Sequence, residues 1–251
     1  MLSSRVVVKI PKMNIPVVEV NTQLIELNRL IPHEEIVEGR LKDLVNSITK
    51  VQAVDMPLVV APIPSTDKFL IVDGHHRWAA LIELKCRYAP CVVIDYFDER
   101  VVLKTWYPAI DGSLKPILDA LRNSGVEYYR YECSLIYSLD EILANTAFLV
   151  KGYGGDCIAI GKTINDQKIV SKILSDLNLR GEFNLIYYGE LEDAINDLMN
   201  REVTYVFLRK TISKMEVIET VMHGDVYAPK TTRHILPFIP AKNYIKLDKL
   251  C

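Results

Sequence analysis

The segment Asp73-Gly74-His75-His76-Arg77 constrains this chain more than any other, because it packs an acid, a glycine, two imidazoles and a guanidinium between two apolar runs of different type. Phe69-Leu70-Ile71-Val72 before it reads as a short strand, and Trp78 to Leu84 after it is rich in good helix formers. The segment is therefore expected at a strand-to-helix turn. The unsatisfied N–H groups and positive dipole end of a helix start favour anions, and Gly74 has no side chain to keep a phosphate off the backbone. Arg77, four residues after Asp73, lies about one turn further on and adds a two-pronged donor for the same anion. The same residues also fit a plainer turn, with Asp73 capping the helix and the His-His-Arg group facing water. Zinc ligation by the histidine pair is disfavoured. Successive helical residues point about 100° apart, and no HExxH or CxxC spacing accompanies them.

The 251 residues are 49% hydrophobic and 25% charged, enough material for a real core and two lobes. No apolar run approaches the ~20 residues of a membrane span. Arg5 and Lys9 interrupt the N-terminal valines, so no signal peptide is expected and the cytoplasm is the expected location. Five cysteines, at 86, 91, 133, 157 and 251, make an odd count without metal spacing and are expected as free thiols serving as small core hydrophobes. A formal net charge of -2 gives no global attraction to nucleic acid. Three glutamines beside plentiful Lys, Glu, Ile and Tyr hint at a thermophile.

Residues 17–30 mix apolar and polar side chains as a half-buried strand and an extended connection do. Pro32 breaks that pattern. From Glu38 to Val51, Leu41, Leu44, Val45 and Ile48 form the stripe of an amphipathic helix, which puts His33-Glu34-Glu35 on a loop just before it. Strand-like runs at 57–61 and 68–72 flank a turn-rich connection, and 89–97 is a further strand. A first lobe spanning 1–110 is expected, with a second over 111–251. The second should hold a helix at 114–122, a hairpin around Gly152 to Gly155, helices near 166–177 and 190–199, a strand at 204–208 and a helix at 214–222.

Gly155 to Thr163 imitates a Walker A loop, GxxxxGK[ST], with a spacer one residue too long. Cys157 to Ile160 is strand material, and Asn165-Asp166 is expected to interrupt before any helix, so a β-hairpin is the better reading. Lys230-Thr231-Thr232-Arg233-His234, between Pro229 and Pro237, collects cations, hydroxyls and an imidazole: an anion receptor, or else a solvated loop. Trp106 fits a core aromatic or the wall of a small pocket. The His33-Glu34-Glu35 acids suit a helix start, and a carboxylate on a loop facing a phosphate site is also where a general base is needed.

In this order, Ile31-Pro-His-Glu34-Glu, Val72-Asp-Gly-His-His-Arg-Trp78, Trp106 and Lys230-Thr-Thr-Arg-His234, the chain resembles the free L-serine kinases of the ParB/sulfiredoxin-like superfamily over nearly its whole length. The resemblance implies an α+β architecture: a ParB/sulfiredoxin-like N-terminal lobe, a second mixed α/β lobe, and an active site in the cleft between them. It also implies an archaeal source. By the same resemblance Glu34 is the catalytic base, with Glu35 as the alternative register, and Asp73 lies beside the reacting phosphate as a catalytic residue and Mg2+ ligand. Gly74, His75, His76 and Arg77 would contact nucleotide phosphates, and Trp106, Lys230, Thr231, Thr232, Arg233 and His234 would bind serine or phosphoserine.

The implied reaction moves the terminal phosphate of ADP or ATP to the serine hydroxyl, giving O-phospho-L-serine for cysteine formation. The expected partners are L-serine and an adenine nucleotide, with no nucleic acid and no membrane. Sulfiredoxins carry a reactive cysteine where this chain has His75, so sulfinic acid repair lacks its nucleophile. The competing reading is a nucleotide-gated ParB-like DNA-binding regulator. The low charge and the absence of a basic recognition helix in the second half count against it.

Overall fold

A computed structural model describes residues 6–132 and 139–251. The chain forms two compact units, each assembled from three stretches. One comprises Met13–Leu103, Ile212–Pro229 and His234–Cys251; the other comprises Met1–Lys12, Lys104–Thr211 and Lys230–Arg233. This division differs from a single cut after residue 110, because Tyr107–Gly112 is one unbroken strand. The helix Lys214–Met222 and the C-terminal residues go back to the first unit. There the Glu35 N–H donates to Tyr227 O, Ile245 pairs with Val54, and the Arg87 and Tyr88 N–H groups donate to Leu250 O.

The first unit is built on a five-stranded mixed sheet, in the order Gln23–Glu26, Tyr88–Val93, Leu58–Pro62, Phe69–Asp73, Leu30–Ile31. Leu58 to Ala61 are all buried, as a central strand with both faces covered requires. The helices Glu38–Val51 and His75–Glu83 pack against each other. Ile48, Ala80 and Leu81 join Leu58, Val60, Ile71, Ala89 and Cys91 in the core beneath them. The expected helix at 38–51 has the bounds its apolar stripe set, and the expected strand at 89–97 is shorter, ending at Val93.

The thiol expectation needs correction: Cys86 and Cys251 form a disulfide that ties the last residue to the end of the motif helix. Two partners 165 residues apart leave no spacing signal in the sequence, and disulfides do occur inside hyperthermophile cells. Cys91 is free and buried, and burial pushes its thiol up to about 12. Cys157 is disulfide-bonded as well, so its free-thiol expectation is corrected in the same way; Cys133 lies outside the described residues.

The second unit carries a seven-stranded sheet, in the order Val7–Lys9, Phe183–Tyr188, Tyr107–Gly112, Tyr205–Leu208, Phe148–Gly152, Asp156–Ile160, Tyr128–Glu132. Only the Val7–Lys9 pair is parallel; its other neighbours run antiparallel. The helices Lys115–Ser124 and Ile164–Leu179 supply Ile117, Leu121, Val170 and Leu174 to one apolar cluster, and Leu191–Met199 supplies Ala194 and Leu198 to another.

The Walker imitation is indeed a hairpin, Phe148 opposite Ile160 and Lys151 opposite Cys157. Asn165 and Asp166 do not interrupt as expected; they lie in the first turn of the helix that starts at Ile164. Asp166 accepts from the Lys162 and Thr163 N–H groups at 2.8 and 2.9 Å in a capping box, so its own carboxylate fills the place a phosphate would need. Among the described residues no helix is long and apolar enough to cross a membrane.

Candidate active site

The strand Phe69–Asp73 delivers Asp73 at its end, and the helix His75–Glu83 begins two residues later. Gly74 occupies the N-cap in the left-handed region at φ 102°, and no side chain caps the helix. Asp73 is therefore not the cap. Its Oδ2 takes a 2.5 Å hydrogen bond from Arg77 Nη2, one turn along, which holds the guanidinium over the helix start. The Arg77 side chain is 14% exposed and that of Asp73 59%, so the pair offers a sheltered cation beside an accessible carboxylate. A Cβ on Gly74 would fall 2.9 Å from Leu58 Cγ and 3.0 Å from Arg77 Nη2, which explains the glycine in space as well as in φ.

The two motif histidines have different neighbours. His76 Nε2 accepts from the Val37 N–H at 3.1 Å and so holds the residue that precedes the helix Glu38–Val51. Burial, and then the nearby Arg40, lowers its pKa to about 4. His75 Nε2 lies 3.0 Å from His33 Nδ1 and 3.3 Å from the His33 backbone nitrogen, and His33 Nδ1 is 2.8 Å from the Ile71 carbonyl oxygen. The His33 ring also meets that of His234 edge to face, with centroids 5.0 Å apart, and His234 Nε2 is 2.8 Å from the Tyr96 hydroxyl. Burial pushes all three imidazoles below the ordinary histidine value, well below it for His75 and His234. Burial raises Tyr96, so its hydroxyl keeps its hydrogen beside His234 Nε2.

Glu34 follows buried His33, is half-buried itself, and bridges to Tyr227 in parallel register; Glu35 is exposed. The backbone thus separates the two glutamates by environment, which the sequence alone did not do.

In the second unit Glu190 is the hub of a second cluster. Lys104 Nζ reaches its two carboxylate oxygens at 2.8 and 2.6 Å, and Arg233 Nη1 reaches Oε1 at 2.9 Å. Burial works to raise the Glu190 carboxyl, but these hydrogen bonds outweigh it and hold the group below its usual range. Trp106 stands beside this cluster with Lys230 Nζ 4.2 Å and the Arg233 guanidinium 5.5 Å from its ring centre. Thr231 and Thr232 are buried. The Thr231 carbonyl accepts from Thr105 Oγ1 at 2.6 Å and its hydroxyl from Arg209 Nη1 at 2.9 Å.

Lys230, Thr231, Thr232 and Arg233 thus belong to one unit and His234 to the other. Lys104, Glu190, Arg209, His33 and Tyr96 were not singled out from the sequence as site residues. Gly189-Glu190, between the strand Phe183–Tyr188 and the helix Leu191–Met199, repeats the glycine-plus-acid signature of a strand-to-helix turn and offered a signal. Arg209, at the end of an apolar strand, offered only an anomalous charge.

Comparison with known proteins matches residues 8–105 to the ParB N-terminal domain and residues 105–209 to the family described as L-serine kinase SerK, C-terminal domain. An ATP-dependent L-serine kinase of Staphylothermus marinus is 51% identical, covering 98% of each chain. An ADP-dependent L-serine kinase SerK of Thermococcus kodakarensis is 40% identical over 96% of this chain and 98% of its own. Among solved structures, a free serine kinase in complex with AMP superposes with a TM-score of 0.90 at 41% identity, covering 98% of this chain and all of that one. With identities of this size across nearly the full length, and both halves matched in order, the chain belongs to the family of ATP- and ADP-dependent L-serine kinases.

Proposed function

We propose that this protein phosphorylates free L-serine with ATP as donor, giving O-phospho-L-serine. The observation that carries the reading is the Asp73–Arg77 turn: an uncapped helix start with a sheltered guanidinium, in a chain of the serine kinase family. Phosphoryl transfer asks chiefly for positioning and charge neutralisation, and such a turn meets both needs without a Walker loop. ATP is preferred over ADP because the ATP-dependent relative is 51% identical and the ADP-dependent one 40%.

In this reading Gly74, His75 and Arg77 hold the nucleotide phosphates. Glu34 takes the proton of the serine hydroxyl, the serine oxygen forms its bond to the γ-phosphorus in line, and the bond to the β-phosphate oxygen breaks, leaving ADP. The Glu190, Arg233, Lys230 and Trp106 cluster selects the amino acid, with Arg233 and Lys230 facing its carboxylate charge and Glu190 its ammonium. Asp73 fits a Mg2+ ion held mainly by nucleotide phosphates and water, since such ions need only one or two protein carboxylates. Among the described residues no group of three His, Cys, Asp or Glu side chains is placed to hold a metal by itself. When bound, Mg2+ would neutralise phosphate charge. The phosphate ester of the product is a leaving group that sulfide can displace, which suits a step before cysteine formation.

The test mixes protein, Mg2+, L-serine and either nucleotide, and reads phosphoserine together with ADP or AMP by mass spectrometry. ATP should give phosphoserine and ADP. Glu34→Gln should lower turnover about 10²–10⁴-fold while nucleotide binding persists. Full turnover in that variant would move the base to Glu35 or Asp73. Salt-dependent, sequence-specific binding of duplex DNA without phosphoserine would replace the kinase reading by the regulator.

A further inference from the structure

We propose that His33 is a positioning residue that fixes the tautomer of His75, so that the imidazole at the nucleotide turn serves as a neutral Nδ1–H donor to phosphate. The proposal rests on the reading that this turn binds nucleotide and adds the protonation state in which one of its side chains works.

A backbone carbonyl has no hydrogen to give, so the 2.8 Å contact between Ile71 O and His33 Nδ1 places a hydrogen on Nδ1. A backbone N–H can only donate, so His75 Nε2, 3.3 Å from the His33 nitrogen, is bare. The His33 Nδ1 hydrogen also reaches His75 Nε2 at 3.0 Å and is shared between two acceptors. An imidazole with a bare Nε2 is neutral and carries its hydrogen on Nδ1. The two rings meet at 77° with centroids 4.4 Å apart, and His33 is 1% exposed, so the reference side chain is locked in the core.

A neutral donor suits this position. An N–H dipole needs no proton uptake to meet a phosphate oxygen. The nearest relation in general enzymology is a histidine kept neutral at a helix N-terminus so that the imidazole acts as the electrophile.

The test compares two variants. Asparagine places an amide N–H near the position of Nδ1, and phenylalanine keeps the ring and the backbone donor but removes the side-chain one. His33→Phe should raise the ATP KM about tenfold, the worth of one charge-assisted hydrogen bond, with the serine KM unchanged; His33→Asn should restore the ATP KM to within about threefold of the parent. In the unmodified protein, nitrogen-15 NMR of His75 should show Nδ1 protonated and Nε2 bare. The spectrum needs no variant, so the proposal stays testable if His33→Phe misfolds. A wild-type His75 protonated at Nε2 overturns it, as does a folded His33→Phe protein with unchanged ATP KM while His75→Ala weakens ATP. If His75→Ala itself binds ATP as the parent does, the nucleotide reading of the turn fails instead.

Discussion

Gly189 and Arg233 share one small volume: Arg233 Nη1 donates to the Gly189 carbonyl at 2.7 Å, and a Cβ built on Gly189 would fall 2.7 Å from that same Nη1 and 3.0 Å from Ile10 Cγ2. The guanidinium reaches Glu190 only because residue 189 has no side chain. Gly189→Ala should therefore displace Arg233 from Glu190 and raise the serine KM about tenfold or more, while the ATP KM stays within about twofold, since the nucleotide turn belongs to the other unit. Steady-state kinetics with each substrate varied in turn decides it. Equal loss for both substrates would show that the cluster does not select serine.

His76 predicts an acid limit to stability. Its folded value of about 4 lies below the ordinary 6.5, so between those values the unfolded chain binds more protons than the folded one. The contribution is complete above pH 6.5 and is lost as pH falls towards 4. Protonation also removes the acceptor that Val37 N–H uses. Because His76 is only half-buried, solvent screening reduces the effect to roughly 1 kcal/mol, or about 2–4 °C in Tm. His76→Gln keeps an acceptor that does not titrate, and its Tm should fall less steeply than the parent's between pH 6.5 and 4.5. Parallel melting curves across that range would remove His76 as the cause.

Local pattern made much of the fold legible. The stripe Leu41, Leu44, Val45, Ile48 marked its helix to the residue, and Gly74 between strand and helix marked the turn. What stayed hidden depends on distance along the chain. The Lys104–Glu190 pair spans 86 residues and His33–His75 spans 42, and nothing local distinguishes these side chains from solvated ones. The return of Lys214–Met222 to the first unit was hidden for the same reason: a helix's own stripe says that it packs, not on which sheet. Asp166 misleads because an acid near a helix start reads as a break unless its capping partner, Thr163, is considered with it.

The Cys86–Cys251 bridge predicts a redox-dependent melting temperature. It closes a 165-residue span and anchors the C-terminus beside Leu250, which is buried in the core. Loss of such a link costs about 2–5 kcal/mol, chiefly by freeing the unfolded chain. Cys251→Ser should lower Tm by about 5–15 °C, and the reduced parent should fall at least as far because Cys157 is disulfide-bonded as well, with kinase turnover at moderate temperature unchanged. Calorimetry with and without reductant checks this; a reductant-insensitive Tm would mean that the bridge is absent in solution.

Gly74 links the backbone of the turn to its site. At φ 102° any L side chain is strained, and a methyl group would press on Leu58 Cγ and on the Arg77 guanidinium together. Gly74→Ala should cost about 1–3 kcal/mol of stability from the backbone alone. Arg77 is the softer of the two contacts, because Leu58 is fully buried in the central strand. It should give way and loosen from Asp73, raising the ATP KM with little change for serine. Arg77→Lys, which keeps the charge and removes the fork, should reproduce the ATP effect without the full stability loss. If Gly74→Ala lowers Tm while both KM values hold, the turn is needed for folding and the nucleotide phosphates lie elsewhere.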